Sequence, residues 1–210
     1  MKIIPSQTMA LAVDYQVRLL PSIDNADFLL KRSAILLRGL RLLDIPILIT
    51  QQYTRGLGMS HSAVFESAGT TEYLEKRTFS CCGSESILQA IDRQRRPQII
   101  LCGIEAHICV LQTALDLLEK GFQVIFVRDC ISSRHAYDRE AAFERLARSG
   151  AVPATAESLL FELMETADHP RFKDISRLVK SKTPQQATGH QTCSAAEPRD
   201  IWSSLRCGRR

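Results

Sequence analysis

No apolar run in this 210-residue chain approaches the roughly 18 residues that a membrane-spanning helix needs, so no membrane partner is expected. Pro5, Ser6 and Gln7 interrupt the N-terminus before a signal-peptide core can form, which points to the cytoplasm. Cysteine is present but unorganised: the count of seven is odd, C-x-x-C is absent, and the adjacent Cys81 and Cys82 have no metal-ligand or redox spacing. Neither a disulfide framework nor a metal site is expected from that pattern, and a reducing compartment fits it. Three nucleotide and nucleophile signatures are also missing. Asp14-Tyr15-Gln16, after the first apolar run, contains no glycine for a G-x-G-x-x-G turn, and G-x-S-x-G does not occur. The arginine that a cysteine phosphatase carries six residues after its nucleophile is replaced by Leu115 after Cys109 and by Ala136 after Cys130. Net positive charge is small outside the C-terminus. Of the net +4, residues 181–210 supply most, with five Lys or Arg against Glu197 and Asp200, so the body is close to neutral and no nucleic-acid partner is expected.

What is present is an ordinary globular composition, 45% hydrophobic and 24% charged, on a chain long enough for one domain with a full core. Thr8–Val13, Ile45–Thr50, Ile99–Cys102 (ended by Gly103), Phe122–Val127 and Ala151-Val152 read as buried strands. Between them lie helical patterns. The first opens at Ser22, Asp24 or Asn25 and carries the stripe Leu29, Leu30, Ser33, Leu36, Leu37, Leu40 and Leu43; others start at Ser84, His107, Asp138 (ending by Arg148), Thr155 and Phe172. The alternation predicts an α/β fold with a mainly parallel sheet, whose C-terminal edge is lined by loops at Gln51–Ala63 and Arg128–His135. Residues 1–180 form this domain. Residues 181–210 are polar, contain Pro and Gly and the single tryptophan, Trp202, and read as a mobile tail in which Ile201–Leu205 is the segment able to dock on a neighbouring subunit.

Three residues carry candidate chemistry. Cys109 falls in the first turn of the helix after the central strand, where unpaired N–H groups favour an anion and can draw a thiol from its usual pKa of ~8.5 into the range ~3.5–7.5. The competing reading is a small hydrophobe packed in the core. Asp14 closes the first strand, where an α/β sheet binds its ligands, or else caps a turn. Lys76 is a surface charge or the partner of that carboxylate. Together the three form a working set: Asp14 takes the thiol proton, Lys76 keeps the carboxylate ionised and steadies the thiolate, and no histidine is needed.

LAVDYQ around Asp14, EKRTFSCC around Lys76 and GIEAHICV around Cys109, in this order, resemble the motifs of the isochorismatase-like cysteine hydrolases, the superfamily of nicotinamidases and N-carbamoylsarcosine amidase. TQQYTRGLG (50–58), ISSR (131–134) and FELMETADHPRFKDISRLVK (161–180) are similar to its isochorismatase domain-containing protein subgroup, and the likeness spans Gln7 to Lys180. The resemblance implies a three-layer α/β/α fold with six strands, an Asp14-Lys76-Cys109 triad, and a cis peptide at Ile104–Glu105 that turns the Glu105 and Cys109 N–H groups into an oxyanion hole. It implies a small-molecule amide or carbamoyl substrate, a Cys109 acyl-enzyme, no cofactor, and a homo-oligomer. Departures from the family pattern matter too. The metal-binding Asp-x-His of nicotinamidases is replaced here by TQQYTRGLGMSH, which implies no metal. Glu105 stands where amidases often have a small residue, and either charges the pocket or turns away from it. Tyr15, Gln16, Tyr53 and Phe79 are candidates to line a pocket for a planar substrate, against a packing role. Two other functions stay open: an inactive binding or scaffolding protein on the same fold, and a redox sensor pairing Cys109 with Cys102 or Cys130.

Overall fold

The computed structural model describes residues 1–180, so the expected tail at 181–210, including Ile201–Leu205, lies outside the described residues. Thr8–Val13 forms β1, buried at every position, as an apolar run without alternation requires when both sheet faces are covered. The other strands are β2 (Ile47–Gln52), β3 (Leu74–Lys76), β4 (Gln98–Ile104), β5 (Gln123–Ser132) and β6 (Val152–Ala154). They make one six-stranded sheet of order β3-β2-β1-β4-β5-β6, and every pairing is parallel.

The intervening helices are α1 (Ala26–Leu42), the single turn α2 (Thr54–Leu57), α3 (Ser62–Ala68), α4 (Glu85–Gln94), α5 (Leu111–Glu119), α6 (Ala136–Arg148), α7 (Ala156–Met164) and α8 (Phe172–Lys180). Two apolar clusters divide them between the sheet faces. Ala10 and Ala12 of β1 point to α1, α3, α7 and α8 through Leu36, Leu40, Val64, Leu159 and Ile175. Met9, Leu11 and Val13 point to α4, α5 and α6 through Ile87, Ile91, Ala114, Leu117 and Phe143. This is a three-layer α/β/α arrangement. Among the described residues no helix is long and apolar enough to cross a membrane.

Several expected boundaries move, each for a local reason. The central strand does not end at Gly103 but passes through it to Ile104. A Cβ at residue 103 would meet the Val13 carbonyl oxygen at 2.0 Å, and φ is +129°, so glycine here permits close approach to β1 instead of breaking the strand. β5 also continues beyond Val127, through residues read as a loop. Asp129 is accommodated because it accepts from Arg32 Nε and the Ala156 N–H, both at 2.8 Å, while Cys130 packs into the α1-side cluster. The expected loop at Gln51–Ala63 holds the end of β2, α2 and the start of α3, and α6 opens at His135 with Asp138 inside its first turn. β1 and β4 are neighbours from which the chain runs outward to opposite edges. The crevice at their C-terminal ends is therefore the sheet's topological switch point, where open α/β sheets place ligands.

Candidate active site

Asp14 is the first residue beyond β1. It takes a left-handed backbone conformation, φ 55°, which aspartate tolerates better than most residues, and its N–H is held by the Thr50 carbonyl at 3.2 Å. The turn leaves the carboxylate in the crevice with no exposure to solvent. Its Oδ2 accepts from Lys76 Nζ at 2.6 Å and its Oδ1 from Thr50 Oγ1 at 2.9 Å. Lys76 arrives from the other side of β2, as the last residue of β3. It donates also to Gln52 Oε1 at 2.8 Å and to the Thr78 carbonyl at 3.4 Å. An ammonium has three N–H groups, so Lys76 is fully committed to protein partners and can act on a substrate only through its charge.

Cys109 lies in a turn of π-helix, Ala106–Val110, that joins β4 to α5. The Ile104–Glu105 peptide bond is cis, and the Glu105 carbonyl accepts from the Ile108 and Val110 N–H groups at 3.1 and 3.2 Å. The thiol is 7% exposed. Burial pushes its pKa up to about 12, the charge of Asp14 pushes the same way, and Lys76 pulls against them. The sequence expectation of a depressed thiol is therefore reversed: desolvation and an adjacent carboxylate outweigh the helix start, and the resting group is a thiol beside a base. Burial is the largest single influence on Lys76 and works to lower its pKa, but Asp14, by charge and hydrogen bond, together with Cys109 and Cys81 outweighs it and the pKa is raised.

The sheet separates the cysteines expected to pair. Cys102 and Cys130 lie in the α1-side cluster, whereas Cys109 lies in the α5-side cluster, so neither is placed to resolve an oxidised Cys109. The thiol that does share the site is Cys81, fully buried, whose Sγ donates to Thr50 Oγ1 at 3.8 Å and whose N–H donates to Thr113 Oγ1 at 2.9 Å.

The remaining expected site residues divide. Glu105 turns away from the crevice: its Oε2 accepts from the Arg134 N–H at 3.1 Å and from Arg134 Nε at 3.0 Å. Tyr15 is a core strut instead of a pocket wall, because its ring packs in the α1-side cluster and its hydroxyl meets Ser33 Oγ at 2.6 Å and donates to the Cys130 carbonyl at 2.7 Å. Gln16 is buried and fully engaged, donating to the carbonyls of Gln52 and Gly58 and accepting from the Gln52 N–H. Tyr53 and Phe79 are exposed at the C-terminal ends of β2 and β3, with the Arg77 guanidinium 4.0 Å above the Tyr53 ring. Sequence pattern alone does not mark Thr50 or Gln52 as site residues, and it leaves Cys81 as an incidental neighbour of Cys82. The available signal was the polar run Thr50-Gln51-Gln52 on a buried apolar strand, where unpaired polar side chains are costly. Among the described residues no group of three or more His, Cys, Asp or Glu converges as metal ligands do.

An isochorismatase domain is recognised over residues 8–158. The chain is 38% identical over 184 residues to isochorismatase domain-containing protein 2A of Mus musculus, covering 87% of each chain. It is 35% identical over 183 residues to isochorismatase domain-containing protein 1 of Salmo salar, covering 87% of this chain and spanning only 64% of the salmon protein's length. Among solved structures, the MAR1 ribonuclease of Caenorhabditis elegans superimposes with a TM-score of 0.80 at 30% identity, over 96% of this chain and all of that one. The Escherichia coli YcaC protein, an octameric hydrolase of unknown specificity, superimposes with a TM-score of 0.76 at 20% identity, over 90% of this chain and 98% of its own.

Proposed function

Since the chain belongs to the isochorismatase family, for which a hydrolase-type function is the starting point, we propose that it is a metal- and cofactor-independent cysteine hydrolase of small amide or carbamoyl compounds. The observation that carries this reading is the buried Asp14–Lys76 pair set beside the Cys109 thiol at the switch point of the sheet. An ionised carboxylate offers about four acceptor positions. Thr50 and Lys76 occupy two, which leaves Asp14 able to receive a proton from Cys109.

In the proposed cycle Asp14 takes the thiol proton as Cys109 Sγ attacks the carbonyl carbon. The C=O electron pair moves to oxygen, and the N–H groups of Glu105 and Cys109 hold that oxyanion, since Lys76 has no donor left to offer. Collapse breaks the C–N bond, and Asp14 returns its proton to the departing ammonia or amine. Water then attacks the thioester with Asp14 as base, and the acid leaves as Cys109 regains its proton. A raised thiol pKa suits this sequence, because proton transfer is coupled to substrate arrival and the resting enzyme carries no exposed thiolate. Tyr53 and Phe79 supply the apolar rim that a planar substrate would meet. The working unit is the domain at residues 1–180, in the cytoplasm, as a homo-oligomer of the general kind that the octameric E. coli protein forms.

The test reads Cys109 directly, by peptide mass spectrometry of iodoacetamide labelling from neutral to alkaline pH, with the half-buried Cys82 as internal reference. In Asp14→Asn the labelling midpoint of Cys109 is expected to fall, because a charge that raises the thiol pKa is gone; in Lys76→Met it is expected to rise. Release of ammonia from a panel of small amides is expected to vanish in Asp14→Asn and in Cys109→Ser. A Cys109 midpoint indifferent to both charge changes would overturn the triad and leave the inactive scaffold in its place. Cleavage of RNA, the activity in the name of the C. elegans relative, without release of ammonia from any amide would overturn the amide assignment.

A further inference from the structure

Asp14 and Lys76 meet with no solvent exposure of either side chain. A dry ion pair is not automatically stable as ions: desolvation of both charges favours moving one proton from the ammonium to the carboxylate and leaving two neutral groups. β2 stands between the strands that carry the pair, in the order β3-β2-β1. Two of its residues, Thr50 and Gln52, are two apart and so share one face of the strand, and each holds one member of the pair. We propose that Thr50 and Gln52 are positioning residues that lock the Asp14–Lys76 pair in its ionised form.

The hydrogen-bond polarity carries the argument. Thr50 Oγ1 accepts from Cys81 Sγ, so the threonine's own proton is directed at Asp14 Oδ1, where it supports a carboxylate. Cys81 is fixed for this task by its N–H bond to Thr113 on α5. Gln52 is oriented from its other end: its Nε2 donates to the Arg77 carbonyl at 2.9 Å, which leaves Oε1 as the atom facing Lys76, where it supports an ammonium. The Gln52 backbone is anchored in turn by Gln16, through Gln52 N–H to Gln16 Oε1 at 2.7 Å and Gln16 Nε2 to the Gln52 carbonyl at 2.9 Å. A donor thus faces the anion and an acceptor faces the cation, each with its polarity set by a further partner. Neutralising the pair along the bond from Lys76 Nζ to Asp14 Oδ2 would turn the charge-assisted bonds of Thr50 and Gln52 into weaker neutral ones. The catalytic consequence rests on the reading above, since only an ionised Asp14 can take the proton of Cys109.

The experiment is a carbon-13 NMR titration of the full chain labelled at aspartate Cγ, with the Asp14 resonance assigned by its loss in Asp14→Asn. In Thr50→Val the Asp14 midpoint is expected to rise by about one pH unit, the equivalent of losing one hydrogen bond to a charged group. Thr50→Ser, which restores the hydroxyl, is expected to return it. Gln52→Leu is expected to raise it by less, and this half-buried position carries the test alone if Thr50→Val does not fold. A midpoint unmoved in the folded variants, or unrestored by serine, overturns the proposal. The same shifts are expected in a Cys109→Ser background, so failure of the nucleophile reading and failure of this one give different results.

Discussion

The two ends of β2 are built on opposite principles. At the C-terminal end, Thr50 and Gln52 turn polar side chains to the ion pair and Gln51 turns one to the opposite face, and each has a defined partner: Asp14 for Thr50, Ser60 and Thr54 for Gln51, Lys76 and Arg77 for Gln52. At the N-terminal end, Ile47, Leu48 and Ile49 pair with β1 on one side only, because β3 is short and pairs just with Thr50–Gln52. That half borders a groove of about 500 Å³ lined also by Tyr73, Leu74 and Ala90. The polar end is specified by directed bonds, whereas the apolar end is specified by the packing of Ile47, Leu48 and Ile49 beside an open groove. The proposed chemistry lies at the end held by directed bonds.

Four measurements break or sharpen this contrast. The largest effect is expected from Asp14→Ala, which leaves the Lys76 ammonium unpaired with no solvent exposure; a loss of about 3–5 kcal/mol in urea unfolding is expected, and a loss under ~1 kcal/mol would mean that solvent reaches the ammonium. Next comes Gly103→Ala, which forces a Cβ against the Val13 carbonyl immediately before Asp14. It should cost about 3 kcal/mol, and a neutral substitution would show that β1 and β4 can part without harm.

The third concerns pH. Burial holds the Cys81, Cys102 and Cys109 thiols at about 12 in the fold, against ~8.5 in an unfolded chain. Between these values the unfolded chain loses protons that the folded protein keeps, so stability falls as pH rises. Lys76 adds to the same trend: its raised pKa gives stability that is complete below the unfolded lysine value of ~10.4 and is lost as pH rises through the folded one. Denaturation midpoints are expected to drop steadily on the alkaline side, with Cys102→Ala flattening the slope; a flat profile in the parent would remove desolvation as the cause of the raised thiols. The smallest effect belongs to the open end. Ile47→Val is expected to cost about 1 kcal/mol or less, and a larger loss would show that the groove edge is packed as tightly as the crevice.

Legibility in the sequence followed the range of the interactions involved. Apolar runs and helical stripes placed β1, β2, β4, β5, β6 and the six longer helices within a few residues, because burial on two faces writes itself into local periodicity, whereas the short β3, α2 and α3 carry no such pattern. Where polar residues enter a strand, as at Arg128 and Asp129 in β5, the pattern misleads, since the partners of Asp129, Arg32 and Ala156, are distant in sequence. Gly103 misled for a related reason: its role is a contact with β1, about ninety residues away. Tyr15 and Gln16, adjacent to Asp14, were expected at the pocket and turn out to brace the core and the β2 loop. Side-chain direction beyond a left-handed turn cannot be counted from strand alternation.

The sequence by itself determined the α/β architecture, the positions of Asp14 at the end of a strand and Cys109 at the start of a helix, and the motif order that identifies the family, whereas the place of Lys76 at the end of β3 came from the structure. The first three are properties of hydrophobic period and residue type, and they need no neighbour. Only the tertiary structure decided that Thr50 and Gln52 bridge the ion pair, that Cys81 and not Cys102 or Cys130 shares the site, that Glu105 turns outward to Arg134, and that the Cys109 pKa is raised. Each of these depends on parallel strand neighbours far apart in the chain and on how completely they exclude water, and desolvation is a property of the assembled fold that no short stretch of sequence contains.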